Sequence, residues 1–245
     1  MSALFHAIAF LTRIPVPRMT NDSRDWINSV AYYPLVGGLI GMFLWLLGLF
    51  ANTLFPTVVG SIVVLVGWVY ITGGLHVDGW MDVADGLGSN RERERMLAIM
   101  KDSRVGAMGA IACVLLLLFK AAAIYELSGQ LAVFIAVPVA ARFTLTVVIW
   151  RFPYLSTSGL GSGLCEGLSP IRLVAGLLFA SGLSFGLSGW GGLVALAAAF
   201  VAAMLLARYL VNKLGGLNGD CYGAIVEGTE AAYMAVLLIG ARYPL

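Results

Sequence analysis

Apolar runs long enough to cross a bilayer recur along almost the whole chain. A helix of about 20 apolar residues spans the hydrocarbon core of a membrane, and the hydropathy pattern predicts seven such segments. They cover residues 33–55, 58–75, 107–125, 131–150, 173–187, 190–210 and 222–241. The fifth segment is short and rich in glycine and serine, so six spans remain an alternative. The pattern predicts an all-α fold, a polytopic bundle of membrane helices.

The composition supports this interpretation. Hydrophobic residues make up 60% of the 245 residues and charged residues 11%, whereas an ordinary soluble domain has roughly 45–50% and 25%. We therefore expect one membrane-embedded domain over residues 1–245. Before the first span, Leu4, Phe5, Ile8 and Leu11 share one helical face, and Pro15 ends the pattern. A short helix lying at the membrane surface is predicted there.

The distribution of Lys and Arg predicts the orientation in the membrane. Arg13, Arg18 and Arg24 precede the first span, and basic residues collect in cytoplasmic loops. The N-terminus is therefore predicted to be cytoplasmic, together with the basic stretches at 91–104, 151–172 and 208–213. Arg242 alone opposes this arrangement. The net charge of +2 is spread over short loops, so no nucleic-acid surface is expected.

Three carboxylates lie close together after the second span. On a helix at 100° per residue, Asp82 lies about 40° to one side of Asp78 and Asp85 about 20° to the other, so the three acids form one stripe. Like charges at this spacing repel each other, and charged groups at a membrane boundary are costly to desolvate. The stripe, in the predicted cytoplasmic segment 76–106, therefore predicts a bound cation.

A second acidic motif enters the last span, within the predicted cytoplasmic segment 211–228. Asp220 and Glu227 are seven residues apart and share a helical face, with Gly223 between them. The glycine leaves room for a ligand or for a closely packed helix. Both motifs read Gly-Gly-Leu, two residues, Asp, six residues, an acid and Gly. Spans one to three and five to seven could therefore be parallel repeats, a hypothesis in which Asp85 corresponds to Glu227.

Together the two motifs predict a magnesium centre. Asp78, Asp82, Asp85, Asp220 and Glu227 offer only oxygen ligands, which suit hard cations. Mg²⁺ commonly shares its ligand shell with substrate phosphates, and two such ions could hold a diphosphate between them. Zinc is disfavoured, because His76 is the only imidazole nearby.

At these residues the chain resembles bacterial cobalamin synthase, the adenosylcobinamide-GDP ribazoletransferase family. The matching motifs are Thr-Arg-Ile-Pro-Val-Pro at 12–17, Gly-Gly-Leu-His-Val-Asp-Gly at 73–79 with its two further acids, Lys-Asp-Ser-Arg-Val-Gly at 101–106, and Gly-Asp at 219–220. The resemblance runs nearly end to end. It implies a Mg²⁺-dependent enzyme of the bacterial inner membrane that joins adenosylcobinamide-GDP to α-ribazole, or to its 5′-phosphate, and releases GMP. A homo-oligomer and association with other enzymes of cobalamin synthesis remain open.

The roles of single residues are hypotheses beyond the resemblance. Asp85, at the end of the stripe that is predicted to face water, is the candidate base that takes the proton from the attacking hydroxyl. Asp82 and His76 are further catalytic candidates. His76 projects about 160° from Asp78 on a straight helix, so its participation needs a bend at residues 73–74. Candidate substrate contacts are Lys101, Asp102, Ser103, Arg104 and, within the fourth span, Arg142.

Two other functions compete with this interpretation. CDP-alcohol phosphotransferases also place acids on membrane helices, but their Ala-Arg pair is absent after Asp78-Gly79. A transporter for divalent cations would place its acids near the bilayer midplane, whereas both motifs here are predicted at the cytoplasmic rim.

Overall fold

A computed structural model describes residues 2–17, 22–156 and 159–242, and nearly all of these residues are helical or in short loops. Arg18, used above to predict orientation, lies outside the described residues. The helices are α1 (Ser2–Leu11), α2 (Ser23–Ser29), α3 (Tyr33–Leu54), α4 (Thr57–Ile71), α5 (Leu75–Gly88), α6 (Arg93–Met100), α7 (Ala107–Glu126), α8 (Val133–Arg151), α9 (Pro170–Leu214) and α10 (Gly219–Arg242).

Helix α9 folds back on itself at Gly189. The backbone of Gly189 is non-helical, with φ 57° and ψ −144°, a conformation open to glycine and strained for other residues. Gly176 and Phe200 would lie about 36 Å apart in a straight helix, but both pack against the ring of Phe143. The chain therefore forms two antiparallel segments, 170–188 and 190–214, where the fifth and sixth spans were predicted.

The number and character of the long helices confirm an all-α, polytopic membrane bundle. Counting α9 once, five helical segments in the described part of the chain are long and apolar enough to cross a membrane, and α4 with α5 forms a further pair bent by 87°. Because α9 contributes two segments, all seven predicted apolar runs are helical. The second run is shorter than predicted, since α4 ends at Ile71 instead of reaching Leu75.

Helix α8 lies at the centre of the bundle. Within its apolar window 83% of the residues are buried, against 28% in α7. Helix α3 approaches α8 closely at Gly37 and Gly41, where a methyl group would lie 2.5 Å from Pro138 O and Ile135 Cα. Small residues permit this spacing between membrane helices. Large apolar side chains on the outer helices remain exposed, as expected for surfaces that face lipid.

The predicted N-terminal helix is confirmed as α1. Its buried side chains are Ala3, Ala7, Ile8 and Leu11, so the inward face includes two of the four predicted positions. The chain after α1 is joined to the end of α4 by a hydrogen bond from Arg13 N to Ile71 O of 2.8 Å. Helix α1 therefore packs beside the bend that precedes the first acidic motif.

Candidate active site

A bend between α4 and α5 carries the first acidic motif across α10. Gly73 and Gly74 both have positive φ angles, 66° and 72°, which redirect the chain by 87°. Helix α5 then crosses α10 at Gly79 and Gly223. A methyl group at Gly79 would lie 2.7 Å from the Asp220 carbonyl oxygen, and one at Gly223 would lie 3.0 Å from the His76 carbonyl oxygen. Both glycines are thus required for this crossing, which joins the two acidic motifs as the sequence predicted.

Asp78, Asp82 and Asp220 form the acidic cluster at this crossing. Partial burial, together with the negative charges of Asp220, Asp78 and Asp85, raises the pKa of Asp82 to about 6. Among the described residues, neither the Asp78 carboxylate nor the Asp82 carboxylate accepts a hydrogen bond, while the Asp220 carboxylate accepts one from Asn218 Nδ2 at 2.8 Å. No lysine or arginine of the described ranges forms an ion pair with the acidic cluster, so these residues leave its negative charge uncompensated.

Asp85 has a different environment from the one predicted. Its carboxylate accepts hydrogen bonds from the backbone N–H groups of Gly106 at 2.8 Å and Gly109 at 2.7 Å. Gly106 is the residue before the first turn of α7, so Asp85 caps that helix, where a negative charge also meets the positive end of the helix dipole. Each carboxylate oxygen accepts one of these hydrogen bonds, a contact that the sequence did not predict, while the roles of Asp85 as catalytic base and metal ligand stay predictions.

Glu227 was predicted as a metal ligand, and the structure places it in a buried ion cluster instead. The ion cluster consists of Lys120, Arg142, Glu227 and Glu230, each at most 3% exposed. Lys120 Nζ pairs with Glu227 Oε2, and with Glu230 Oε2 at 2.5 Å; Arg142 Nη1 pairs with Glu230 Oε1. Because Glu227 is enclosed and paired with Lys120, it does not join the acidic cluster.

Arg142 also departs from its predicted role as a substrate contact. It is fully buried, and its guanidinium bonds to Glu230 and, through Nη2, lies 3.3 Å from His76 Nδ1. Its ion-pair partner is a carboxylate of α10. Arg142 therefore supports the start of α5 from within the bundle, and it lines neither of the two cavities described below.

The repeat hypothesis is not supported by these surroundings. Asp85 and Glu227, which correspond in the two motifs, have unrelated partners: a helix N-terminus and a buried lysine. Asp78 lies on the short helix α5, whereas Asp220 lies in the first turn of the long helix α10. The matching spacing reflects two glycine-rich helix starts and not two equivalent sites.

The predicted substrate contacts of the loop after α6 do meet the acidic cluster. A cavity of about 190 Å³ is lined by Asp78, Asp82 and Asp85 on one side and by residues 101–105 on the other. Arg104 Nη2 pairs with Asp102 Oδ2 at 2.6 Å, and these hydrogen bonds lower the pKa of Asp102 to about 2. We name this space the basic cavity after Lys101 and Arg104 in its wall, although the four aspartates of the same wall give it a net negative charge.

A second cavity on the other side of Asp78 was not predicted. It has a volume of about 220 Å³, and its wall includes Asp78, Asp220, His76, Tyr154 and Tyr222. We name it the tyrosine cavity. Tyr222 lies within the second glycine motif, which is the one signal in the sequence that could have indicated it. Tyr154 follows α8 in a loop with no motif of its own. The bend at Gly73 and Gly74 is what turns His76 toward this space.

The acidic cluster suits Mg²⁺ in its chemistry. The described residues contain no group of three His, Cys, Asp or Glu side chains placed to ligate one ion. Mg²⁺ does not require one, because it is usually held by one or two carboxylates and completes its shell with waters and substrate phosphates. Asp78 and Asp82 have free carboxylate oxygens, and their mutual repulsion with Asp220 would be relieved by a cation.

Comparisons with known proteins agree with the geometry. The family model described as "Cobalamin-5-phosphate synthase" matches residues 3–238. An adenosylcobinamide-GDP ribazoletransferase of Brevibacillus brevis is 46% identical over 241 residues, covering 97% of this chain and 98% of the relative. One of Desulforamulus reducens is 40% identical, covering 98% and 97%. No solved structure matches. The chain belongs to the cobalamin-5-phosphate synthase family.

Proposed function

We propose that this protein transfers the cobinamide-phosphate group of adenosylcobinamide-GDP to α-ribazole, or to its 5′-phosphate. The relatives are named adenosylcobinamide-GDP ribazoletransferase and match this chain over most of their length. These matches do not favour the two alternatives, a CDP-alcohol phosphotransferase and a cation transporter. A ribose hydroxyl of α-ribazole attacks the phosphorus atom attached to cobinamide. The bond from that phosphorus to the bridging oxygen breaks, and GMP leaves with the bridging oxygen.

The observation that carries this proposal is the position of the acidic cluster beside the basic cavity. A diphosphate needs positive charge around it, and the cations of the cavity wall are Lys101 and Arg104, of which Arg104 would exchange its pairing with Asp102 for the phosphate. We propose that Asp78 and Asp220 hold Mg²⁺, with Asp82 beside them. The bound ion would neutralise the charge of the diphosphate and of the leaving GMP. Phosphoryl transfer of this kind depends on positioning and charge and needs no protein nucleophile.

The proton of the attacking hydroxyl needs an acceptor with a free oxygen. Asp85 is engaged by two backbone N–H groups, and Asp220 is bonded to Asn218. The Asp82 carboxylate accepts no hydrogen bond from the described residues and lines the basic cavity. We therefore assign the proton to Asp82, which lies on α5 between the ends of the acidic stripe.

We further propose that the acidic cluster faces the cytoplasm of a bacterial cell and that the N-terminus lies on the same side. Three basic stretches support this orientation: the loop after α5, the loop after α8, and the end of α9 before Gly215. They lie at the same ends of the helices as the acidic cluster, because α5 follows α4 and α10 follows α9 directly. GDP-activated substrates and Mg²⁺ are available in that compartment.

The test is the release of GMP by purified protein in detergent. Adenosylcobinamide-GDP and α-ribazole should give GMP with Mg²⁺ and none after chelation of the metal with EDTA. Asp78→Asn and Asp82→Asn should each abolish release, while Glu94→Gln, at an exposed acid of α6 that lines neither cavity, should retain most of it. GMP release that persists without divalent cations would refute the proposed role of the acidic cluster. No GMP from any combination would refute the function itself.

A further inference from the structure

The two cavities beside Asp78 differ in the cations of their walls. The basic cavity includes Lys101 and Arg104 in its wall together with four aspartates, whereas no lysine or arginine lines the tyrosine cavity within the described residues. A diphosphate accompanied by a divalent cation would fit the first, and an uncharged aromatic group fits the second. Since Asp78 belongs to both walls, a ligand in the tyrosine cavity would meet a ligand in the basic cavity at the acidic cluster.

The tyrosine cavity offers aromatic surface of the right kind. The rings of Tyr154 and Tyr222 lie 5.8 Å apart between centroids with an angle of 32°, and Tyr33 adds a third ring. Residues 159–163, which we name the covering loop, pack directly on Tyr154 through Gly159 and Gly161. A methyl group at Gly161 would lie 2.4 Å from the tyrosine ring. The tyrosine ring therefore has little freedom to move, and a planar base gains most from stacking on a surface that is already ordered.

The covering loop is itself attached to the bundle. Trp26 Nε1 donates to Leu160 O at 3.0 Å, and Leu155 N donates to Leu217 O at 2.7 Å beside the start of α10. Leu160 and Gly161 both line the tyrosine cavity. The cavity is thus enclosed by elements that are held in place, and its volume of about 220 Å³ suits a single planar base better than a large cofactor, for which pockets of roughly 300–1,000 Å³ are usual.

His76 supplies one directional group to the tyrosine cavity. Its Nδ1 lies 3.3 Å from Arg142 Nη2, and a guanidinium can only donate hydrogen bonds. Nδ1 must therefore accept, which places the ring proton on Nε2. No hydrogen bond of Nε2 is found within the part of the chain that the structure describes. Nε2–H is consequently a donor for an acceptor atom on whatever occupies the cavity.

We propose that the tyrosine cavity binds the benzimidazole base of the α-ribazole acceptor, stacked against Tyr154 and Tyr222 with His76 Nε2–H donating to the nucleoside. This proposal rests on the proposed function. In this arrangement the two substrates occupy separate cavities: the diphosphate of the donor lies in the basic cavity, and the nucleoside reaches Asp78 from the tyrosine cavity. The attacking hydroxyl then lies between the two cavities, beside Asp82.

Steady-state kinetics on variants test the assignment. Tyr222→Leu and Tyr154→Leu should each raise the KM for α-ribazole about tenfold or more, the loss expected when base stacking is removed. The KM for adenosylcobinamide-GDP should stay within twofold. His76→Phe should raise the same nucleoside KM, and His76→Gln, whose amide can donate, should recover part of it. Tyr209→Leu, at an exposed tyrosine of α9, is the matched control and should leave both KM values unchanged.

Photocrosslinking of the unsubstituted protein adds a measurement that does not depend on whether variants fold. An azido-benzimidazole riboside should label peptides containing residues 152–164 or 219–224, and unlabelled α-ribazole should prevent the labelling. Label confined to residues 101–108, or variants that change the KM of the donor instead of the nucleoside, would overturn the proposal. These outcomes require an active protein, so they differ from a failure of the proposed function, in which the unsubstituted protein releases no GMP.

Discussion

Replacing Glu227 with glutamine removes one of two carboxylates from the buried ion cluster. The cluster holds two cations, Lys120 and Arg142, and two anions, Glu227 and Glu230, so it is neutral. Lys120 Nζ also lies 4.4 Å from the centre of the Trp68 ring. After Glu227→Gln the cluster carries one uncompensated positive charge, in a position where each member is at most 3% exposed.

The expected cost follows from these contacts. Removal of one partner from a buried pair typically costs about 3–5 kcal/mol, because the remaining charge stays desolvated. Glu230 still contacts Lys120, at 2.5 Å, so we expect the lower end, about 3 kcal/mol. For a chain of this length, that corresponds to a decrease in Tm of about 10 °C. Lys120→Met combined with Glu227→Gln restores charge balance and should recover much of the loss.

Thermal unfolding in detergent measures this effect, and the Mg²⁺ dependence of GMP release separates the two possible roles of Glu227. Glu227→Gln should lower Tm and leave the Mg²⁺ concentration for half-maximal rate within twofold, measured below the unfolding temperature. Lys213→Met, which removes an exposed lysine of α9, is the control for lysine and should not change Tm. The reasoning is refuted if Glu227→Gln unfolds normally but requires far more Mg²⁺, because Glu227 would then be a metal ligand.

Three further substitutions test the acidic cluster and its supports. Asp82→Asn should abolish GMP release yet stabilise the metal-free protein by about 1 kcal/mol, a value reduced for solvent screening. The pKa of Asp82 is raised from 3.8 to about 6, which means that the charged carboxylate disfavours the folded state. In unfolding measurements the stability gained by the variant should therefore grow as the pH rises from about 4 to 6. Asp85→Ala should destabilise the protein by about 1–2 kcal/mol through the loss of the cap on α7. Asp85→Asn keeps one acceptor oxygen for the N-terminus of α7 and should lose less stability. Equal Tm values for both variants would contradict the capping role. Gly79→Ala should lower Tm and activity, since its methyl group would lie 2.7 Å from Asp220 O and overpacking costs about 1–3 kcal/mol; Gly182→Ala, with no atom within 4 Å, should instead be neutral or slightly stabilising in the same unfolding assay.

The helices and the meeting of the two acidic motifs could be predicted because they depend on local pattern. Apolar runs of membrane length mark the spans wherever the chain folds, and the glycines at 79 and 223 mark a place where helices approach closely. Even the turn in α9 falls between the fifth and sixth predicted spans. The end of α4 was missed because hydropathy continues through Leu75, while the conformations of Gly73 and Gly74 end the helix earlier.

The roles of Asp85 and Glu227 could not be predicted, because the partners that determine them are remote or invisible in the sequence. Helical projection places each acid on a face of its own helix and says nothing about the helix opposite. Glu227 meets Lys120, which is 107 positions away. Asp85 meets backbone N–H groups of α7, which every residue type except proline provides. Acids of equal spacing therefore lie in three different environments: Asp78 lines a cavity, Asp85 caps a helix and Glu227 balances charge in the core.

These three environments depend on one another at the crossing of α5 and α10. The carboxylates of the acidic cluster repel one another, and this repulsion alone would push α5 away from α10. Three contacts oppose that movement: the glycine crossing at 79 and 223, the cap that Asp85 forms on α7, and the bond from Arg142 to His76. Arg142 is in turn fixed by Glu230 on α10. The ion cluster inside the bundle thereby holds both helices in register, and the repulsion that remains at the rim favours the binding of a divalent cation.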